Sequence, residues 1–247
     1  GDHRDLPSFP TRRSSDLDYR PDWAAVAARI TPRTRMIMIN SPHNPTGSVW
    51  SAEDMARLAE LVRGTDIVIV SDEVYEHIIF DGHQHESCAR HPALAERSVI
   101  VSSFGKTYHI TGWKIGYVVA PAALMAEFRK VHQFNVFTVN TPMQYALADY
   151  MADASRHLGL AAFYQAKRDR FRAAMAASRF ELLPCSGTYF QLARYRAIRD
   201  ESDMAFVEWL TRDKKVAAIP VSAFSAAAED EGDRKSTRLN SSHRIRS

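Results

Sequence analysis

The sequence predicts an α/β fold: a sheet of short strands covered by helices on both faces, followed by a smaller α+β unit. Three observations carry that expectation. Four short apolar runs, RMIMIN (35–40), DIVIV (66–70), SVIVSS (98–103) and IGYVVA (115–120), are separated by a helix or by longer crossovers. DIVIV is apolar on both faces, the pattern of a buried parallel strand. Beyond Pro121 the chain turns to long helical stretches and then to strands again.

Each element has a local reason. RMIMIN closes on the polar turn SPHNPTG. Ser51 and Asp54 form a capping-box pattern ahead of MARLAELV, whose Met55, Leu58, Leu61 and Val62 recur at helical spacing. Residues 52–63 are therefore predicted helical, and Gly64 ends the helix. IGYVVA stops at Pro121. Helices are predicted over 122–132, 141–152 and 156–178 and near 202–212, with strands at FELLP (180–184), TYFQLAR (188–194) and VAAIP (216–220). The expected division is a larger unit over 18–155 and a smaller one over 156–226, with the helix at 156–178 as the connection. There is no internal repeat.

Composition excludes several classes. A chain of 247 residues, 45% apolar and 25% charged, has the balance of a globular protein, not of a disordered or collagen-like one. No apolar run approaches ~18 residues, so no membrane span is expected. Two cysteines, Cys88 and Cys185, are too few for a disulfide scaffold, and no secretory leader is read at the start; the expected location is the cytoplasm. The net charge of +3 is local: over 233–247 five basic residues outweigh Asp233 by four, leaving the rest at −1. Nucleic-acid binding is not expected on that basis.

The two ends read differently from the rest. SFPTRRSSDL (8–17) and DRKSTRLNSSH (233–243) lack hydrophobic periodicity and resemble translated sequencing-library adapters. The expectation is an artefactual tail over 1–17, a disordered adapter-like tail over 227–247, and a fragment between them. Loss of preceding strands would leave apolar edges such as DIVIV unpaired, an aggregation hazard.

In an open α/β sheet, ligands sit beyond the carboxyl ends of the strands. The first strand delivers Asn44, the second Asp72 and Tyr75, and the third Ser102, Ser103 and Lys106. Taken singly, Asp72 reads equally as a helix cap, Asn44 as turn chemistry, Lys106 as a surface amine and Ser103 as a loop hydroxyl. Taken together, they suit pyridoxal 5′-phosphate. A lysine links to its aldehyde, a carboxylate keeps the pyridine nitrogen protonated, a phenol and an amide donate to the ring oxygen, and hydroxyls with a cation hold the phosphate. DGHQHESCARH offers His83, His85, Cys88 and His91, but without CxxC or HExxH it reads as a polar loop, and no metal is expected. Cys185 reads as a small buried residue, and Tyr108 and His109 as packing groups.

SPHNPTG, SDEVY and SSFGKTYHITGWKIGY closely resemble the class I/II aminotransferases of the aspartate-aminotransferase fold, most of all the branch with methionine and kynurenine aminotransferases. The resemblance runs from about Tyr19 to Phe224. It implies a fold-type I transferase with an incomplete large domain, built on a mixed, mostly parallel sheet, and a partial small α+β domain. It implies Lys106 as the Schiff-base lysine, Asp72 as partner of the pyridine nitrogen, Tyr75 and Asn44 as donors to the ring oxygen, and Ser103 and Lys114 as phosphate ligands. Gly187, Thr188 and Tyr189 would border the pocket. FNVFTVNTP (134–142) reads as core from composition, while relatives use that region at a dimer interface, so a homodimer is expected. The implied reaction transfers an amino group from an amino acid, methionine or an aromatic, to a 2-oxo acid. A carbon–sulfur lyase of the same fold and a non-catalytic cofactor-binding module are the alternatives. The family's glycine phosphate turn, ring-stacking aromatic and carboxylate-binding arginine have no counterpart here, so the fragment itself is expected to be inactive.

Overall fold

A computed structural model describes residues 19–224 and 236–240. Helix α1 (Trp23–Arg29), capped by the Asp22 side chain, precedes strand β1 (Met36–Asn40). Helix α2 (Ala52–Val62) starts at the expected capping box: Ser51 Oγ accepts from the Asp54 N–H, and Asp54 Oδ2 accepts from the Ser51 N–H. Then come β2 (Val68–Asp72), a short α3 (Pro92–Ala95), β3 (Ser98–Ser103), α4 (Phe104–Thr107) and β4 (Gly116–Val119). The sheet runs β1-β2-β3-β4, the first three strands parallel and β4 antiparallel, a mixed and mostly parallel sheet.

One face of this sheet is packed. Ile37, Ile39, Ile69 and Ile100 meet Met55, Leu58 and Val62 of α2, together with Cys88 and Leu94. The opposite face departs from the expected two-sided cover. Met36 and Met38 stand 54% and 61% exposed, and Val68, Val70, Val99 and Val101 are only half-buried. Apolar side chains line both faces, as DIVIV suggests, but among the described residues a helical layer packs on one. The edge expectation also changes. β2 lies inside the sheet, hydrogen-bonded to β1 and β3, because RMIMIN takes the outer position.

After β4 the chain is helical through α5 (Ala122–Asn135), α6 (Thr141–Met151), α7 (Ser155–Leu158) and α8 (Leu160–Met175). The single helix expected over 156–178 is thus broken at Gly159, a residue that lowers helix stability. The core reading of FNVFTVNTP also fails, since Phe134 and Phe137 are 87% and 76% exposed. A second sheet contains β5 (Glu181–Leu182) and β6 (Phe190–Arg194); α9 (Asp203–Lys214) leads to β7 (Ile219–Pro220). Strand β8 (Ser236–Asn240) completes it in the antiparallel order β5-β6-β8-β7. These five residues fall in the tail expected to be disordered. Backbone pairing supplies the reason: the N–H and C=O groups along one edge of β6 accept an extended partner with little regard to its side chains. The remaining adapter-like residues, 1–17 with 227–235 and 241–247, lie outside the described residues. No described helix is long and apolar enough to cross a membrane.

The face assignment is testable by urea unfolding. Met36→Lys is expected to change stability by less than about 0.5 kcal/mol, whereas Ile37→Lys, on the packed face, is expected to cost about 4 kcal/mol or to prevent folding.

Candidate active site

The parallel register lines up the strand ends. Asn40 pairs with Asp72, Asp72 with Val101, and Ser103 with Gly116 of the antiparallel strand. An open cleft of about 220 Å³ lies over these ends, lined by Met38, Val70, Asp72, Val74, Val101 and the Ser102–Ser103 pair. The SPHNPTG turn is tied to the same edge by Asn40, which sequence reasoning passed over. Its Nδ2 donates to the Asp72 carbonyl at 3.0 Å and its Oδ1 accepts from the Asn44 N–H at 2.8 Å. Within the turn, His43 Nδ1 and Thr46 Oγ1 are 2.8 Å apart, and burial pushes the His43 imidazole down to about 4, neutral at physiological pH. Asn44 itself is exposed.

Asp72 is half-buried, with Oδ1 accepting from the Val74 N–H at 3.2 Å. Burial pushes its carboxyl above the usual range; the Val74 N–H and the Lys106 charge pull the other way, and Glu73 adds to the rise. The next residue explains how the loop is held. Glu73, 2% exposed, accepts from Ser71 Oγ (2.9 Å) and the Cys88 N–H (3.0 Å) and meets His85 Nε2 at 2.8 Å. The expected polar loop around Cys88 is therefore partly core: the thiol is fully buried and the histidine is a partner of Glu73. Among the described residues no three His, Cys, Asp or Glu side chains form a metal-binding group.

Lys106 sits in α4, directly after β3. Ser103 caps that helix, its Oγ accepting from the Gly105 N–H at 3.1 Å and donating to the Ile115 carbonyl at 3.3 Å. Lys106 Nζ donates to Tyr189 Oη at 3.0 Å, and the buried Tyr75 hydroxyl lies 3.5 Å from the same oxygen. Lys114 follows a 3₁₀ turn in the left-handed region (φ 55°) and is exposed; among the described residues its side chain makes no hydrogen bond or ion pair to the others. Of the six residues singled out, Lys106 and Tyr75 thus meet through Tyr189. Asp72 couples to Lys106 by charge, Ser103 shares the cleft wall, and Asn44 is joined through Asn40. Cys185 is buried and its thiol is pushed up to about 11 by that burial, which suits packing. Tyr108 stacks on Phe104, and His109 Nδ1 meets the Tyr164 hydroxyl at 3.2 Å.

An amine and a half-buried carboxylate at the ends of parallel strands, with one phenol following β2 and another preceding β6, have known counterparts. The profile of the family described as aminotransferase class I and II matches residues 3–244. The chain belongs to the class I and II aminotransferase family. It is 52% identical over 209 residues to methionine aminotransferase of Escherichia coli K12, covering 84% of this chain and 54% of the relative. It is 33% identical to mouse kynurenine–oxoglutarate transaminase 1 over 88% of this chain and 56% of that protein. The crystal structure of YbdL from Escherichia coli, reported to have a methionine aminotransferase function, superposes with a TM-score of 0.87 at 50% identity, over 90% of this chain and 58% of that one. The chain therefore spans a little over half the length of these aminotransferases.

The raised Asp72 carboxyl has a consequence for stability. A folded-state value above the unfolded one means that ionised Asp72 opposes folding at neutral pH, an effect absent below the unfolded carboxylate range. Asp72→Asn is expected to raise Tm at pH 7, with the gain vanishing as pH falls below about 4. Thermal unfolding at the two pH values checks this.

Proposed function

We propose that this chain carries the cofactor-binding machinery of an aminotransferase that moves an amino group from an amino acid to a 2-oxo acid on pyridoxal 5′-phosphate. The observation that carries the reading is the Lys106 amine, held 3.0 Å from Tyr189 in one cluster with Tyr75 and electrostatically coupled to Asp72. The residues fit the cofactor on electrostatic grounds. A half-buried carboxylate whose desolvation is not fully offset within the chain suits a cationic ring nitrogen.

Pyridoxal 5′-phosphate supplies, when bound, an aldehyde carbon for an amine and a ring that withdraws electrons from the substrate Cα. Lys106 holds the aldehyde end and serves the proton at the substrate Cα. Asp72 keeps the positive charge on the ring nitrogen. Tyr75 and Asn44 donate to the ring oxygen. Ser103 and Lys114 bind the phosphate, Lys114 as a point charge without the bidentate fork of an arginine. Similarity to methionine aminotransferase at 52% identity supports methionine as amino donor, with aromatic amino acids next through the kynurenine transaminases. A cytoplasmic homodimer completes the reading. Val131, Phe134, Phe137 and Tyr145 are each at least 68% exposed across α5, α6 and their junction, an apolar face suited to a second copy.

Adding pyridoxal 5′-phosphate to the 247-residue chain is expected to produce the visible absorption band of a lysine-linked cofactor, lost in Lys106→Ala. A band that survives this substitution would overturn the reading. With the intact protein, rather than this chain alone, incubated with methionine and a 2-oxo acid, exchange to the new oxo acid is expected; ammonia and thiol release would instead indicate lyase chemistry.

A further inference from the structure

The hydroxyl on Lys106 belongs to Tyr189, a residue carried by the second sheet, and the way it is held there is unusual. Tyr189 directly precedes β6 and is half-buried. Its ring packs edge-on against Tyr75 (centroids 5.4 Å apart) and Phe190 (4.6 Å) and tilts over Tyr164 (5.8 Å). Three aromatic neighbours leave the ring little freedom to swing.

The backbone is pinned more tightly still. Thr188, fully buried, has φ 65°, a left-handed conformation that β-branched residues rarely adopt. It is held there from both sides. The Thr188 N–H donates to the Ile78 carbonyl at 2.9 Å, the Phe80 N–H to the Ser186 carbonyl at 2.8 Å, and Ile79 bridges Gly187. The Ser186 N–H reaches the Gly47 carbonyl at 2.9 Å, in the turn that carries Asn44. Gly47 has φ 73°, and a Cβ there would come within 2.7 Å of Cys185 Sγ and 2.9 Å of the Gly187 carbonyl. The segment before Tyr189 is thus stitched to the loop after Tyr75 and to the Asn44 turn, and the strained link aims the phenol at the amine.

We propose that Tyr189 is a positioning residue for Lys106: its hydroxyl holds the ε-amine in place in the cluster with Tyr75 whenever that amine is not linked to a carbonyl carbon. The proposal rests on the reading of Lys106 as the reactive amine and adds a role to a phenol whose packing alone does not call for a hydroxyl. Tyr189 Oη accepts from Nζ at 3.0 Å, and the ring centroid, 5.7 Å from the amine, lies nearly in line behind that oxygen, so the contact is made by the hydroxyl and not by the ring face. Tyr189→Phe removes the acceptor and keeps the ring contacts.

Two readouts on the 247-residue chain test this. In the cofactor-free protein, the rate at which an amine-reactive ester labels Lys106 is compared by peptide mass with that of the exposed Lys114. In Tyr189→Phe, labelling of Lys106 relative to Lys114 is expected to rise about threefold, as a held amine is released to reagent, with Tm unchanged within about 3 °C. On addition of pyridoxal 5′-phosphate, the absorption band of the linked cofactor is expected to grow about tenfold more slowly, since a wandering amine finds the aldehyde less often. A labelling ratio equal to the wild-type value overturns the positioning role, whatever the cofactor arm shows. A band retained in Lys106→Ala overturns the reading of Lys106 instead, and so separates the two failures.

Discussion

Everything at the cleft depends on the register between β1, β2 and β3. Asn40, Asp72 and Val101 stand side by side across three parallel strands, and successive side chains alternate between faces. Ile37, Ile39, Ile69 and Ile100 turn to α2, which leaves Met38, Val70, Asp72, Val101 and Ser103 on the other face. A slip of one residue in β2 would send Asp72 into the packed face and bring the buried Ser71 out. The isoleucine pattern therefore sets where the carboxylate points, though none of those isoleucines touches the cleft.

Polar groups hold the frame from behind. Glu73 is buried directly after Asp72, yet its carboxyl lies below the usual range: burial pushes it up, and His85, Ser87 and the Cys88 N–H outweigh that. A buried carboxylate satisfied on this scale fixes the loop that carries Tyr75. Nearby, Glu76 accepts from Ser102 Oγ (2.8 Å) and Tyr117 Oη (2.5 Å), joining the Tyr75 loop to β3 and β4. Farther out, Arg168 of α8 forms an ion pair with both carboxylate oxygens of Asp81 and donates to the Cys185 carbonyl at 2.8 Å. The segment leading to Tyr189 is thus anchored to the loop after β2 by side chains as well as by backbone.

The open sheet face and the exposed α5–α6 face leave large apolar side chains in solvent. Met38 borders the cleft at 61% exposure, and Phe134 stands 87% exposed. Side chains of that size normally find cover.

Local patterns in the sequence determined much of this protein. Strand and helix positions in the first sheet were legible because they rest on apolar periodicity and a capping box, both nearest-neighbour properties. The amine, carboxylate and phenol were legible because they close strands at recognisable motifs. Several features were not. The pairing of Ser236–Asn240 depends on a partner strand distant in sequence, which a window of a few residues does not contain. Asn40 read as the last residue of an apolar run, and its link between Asn44 and Asp72 exists only across strands. Tyr189 stood in a visible motif, GTYF, but its contact with Lys106 spans 83 residues and depends on a positive φ at Thr188 that no β-branched residue advertises. Sequence by itself settled which chemical groups this chain brings to its strand ends; tertiary structure decided which of them touch, because contact between distant residues is set by register and packing.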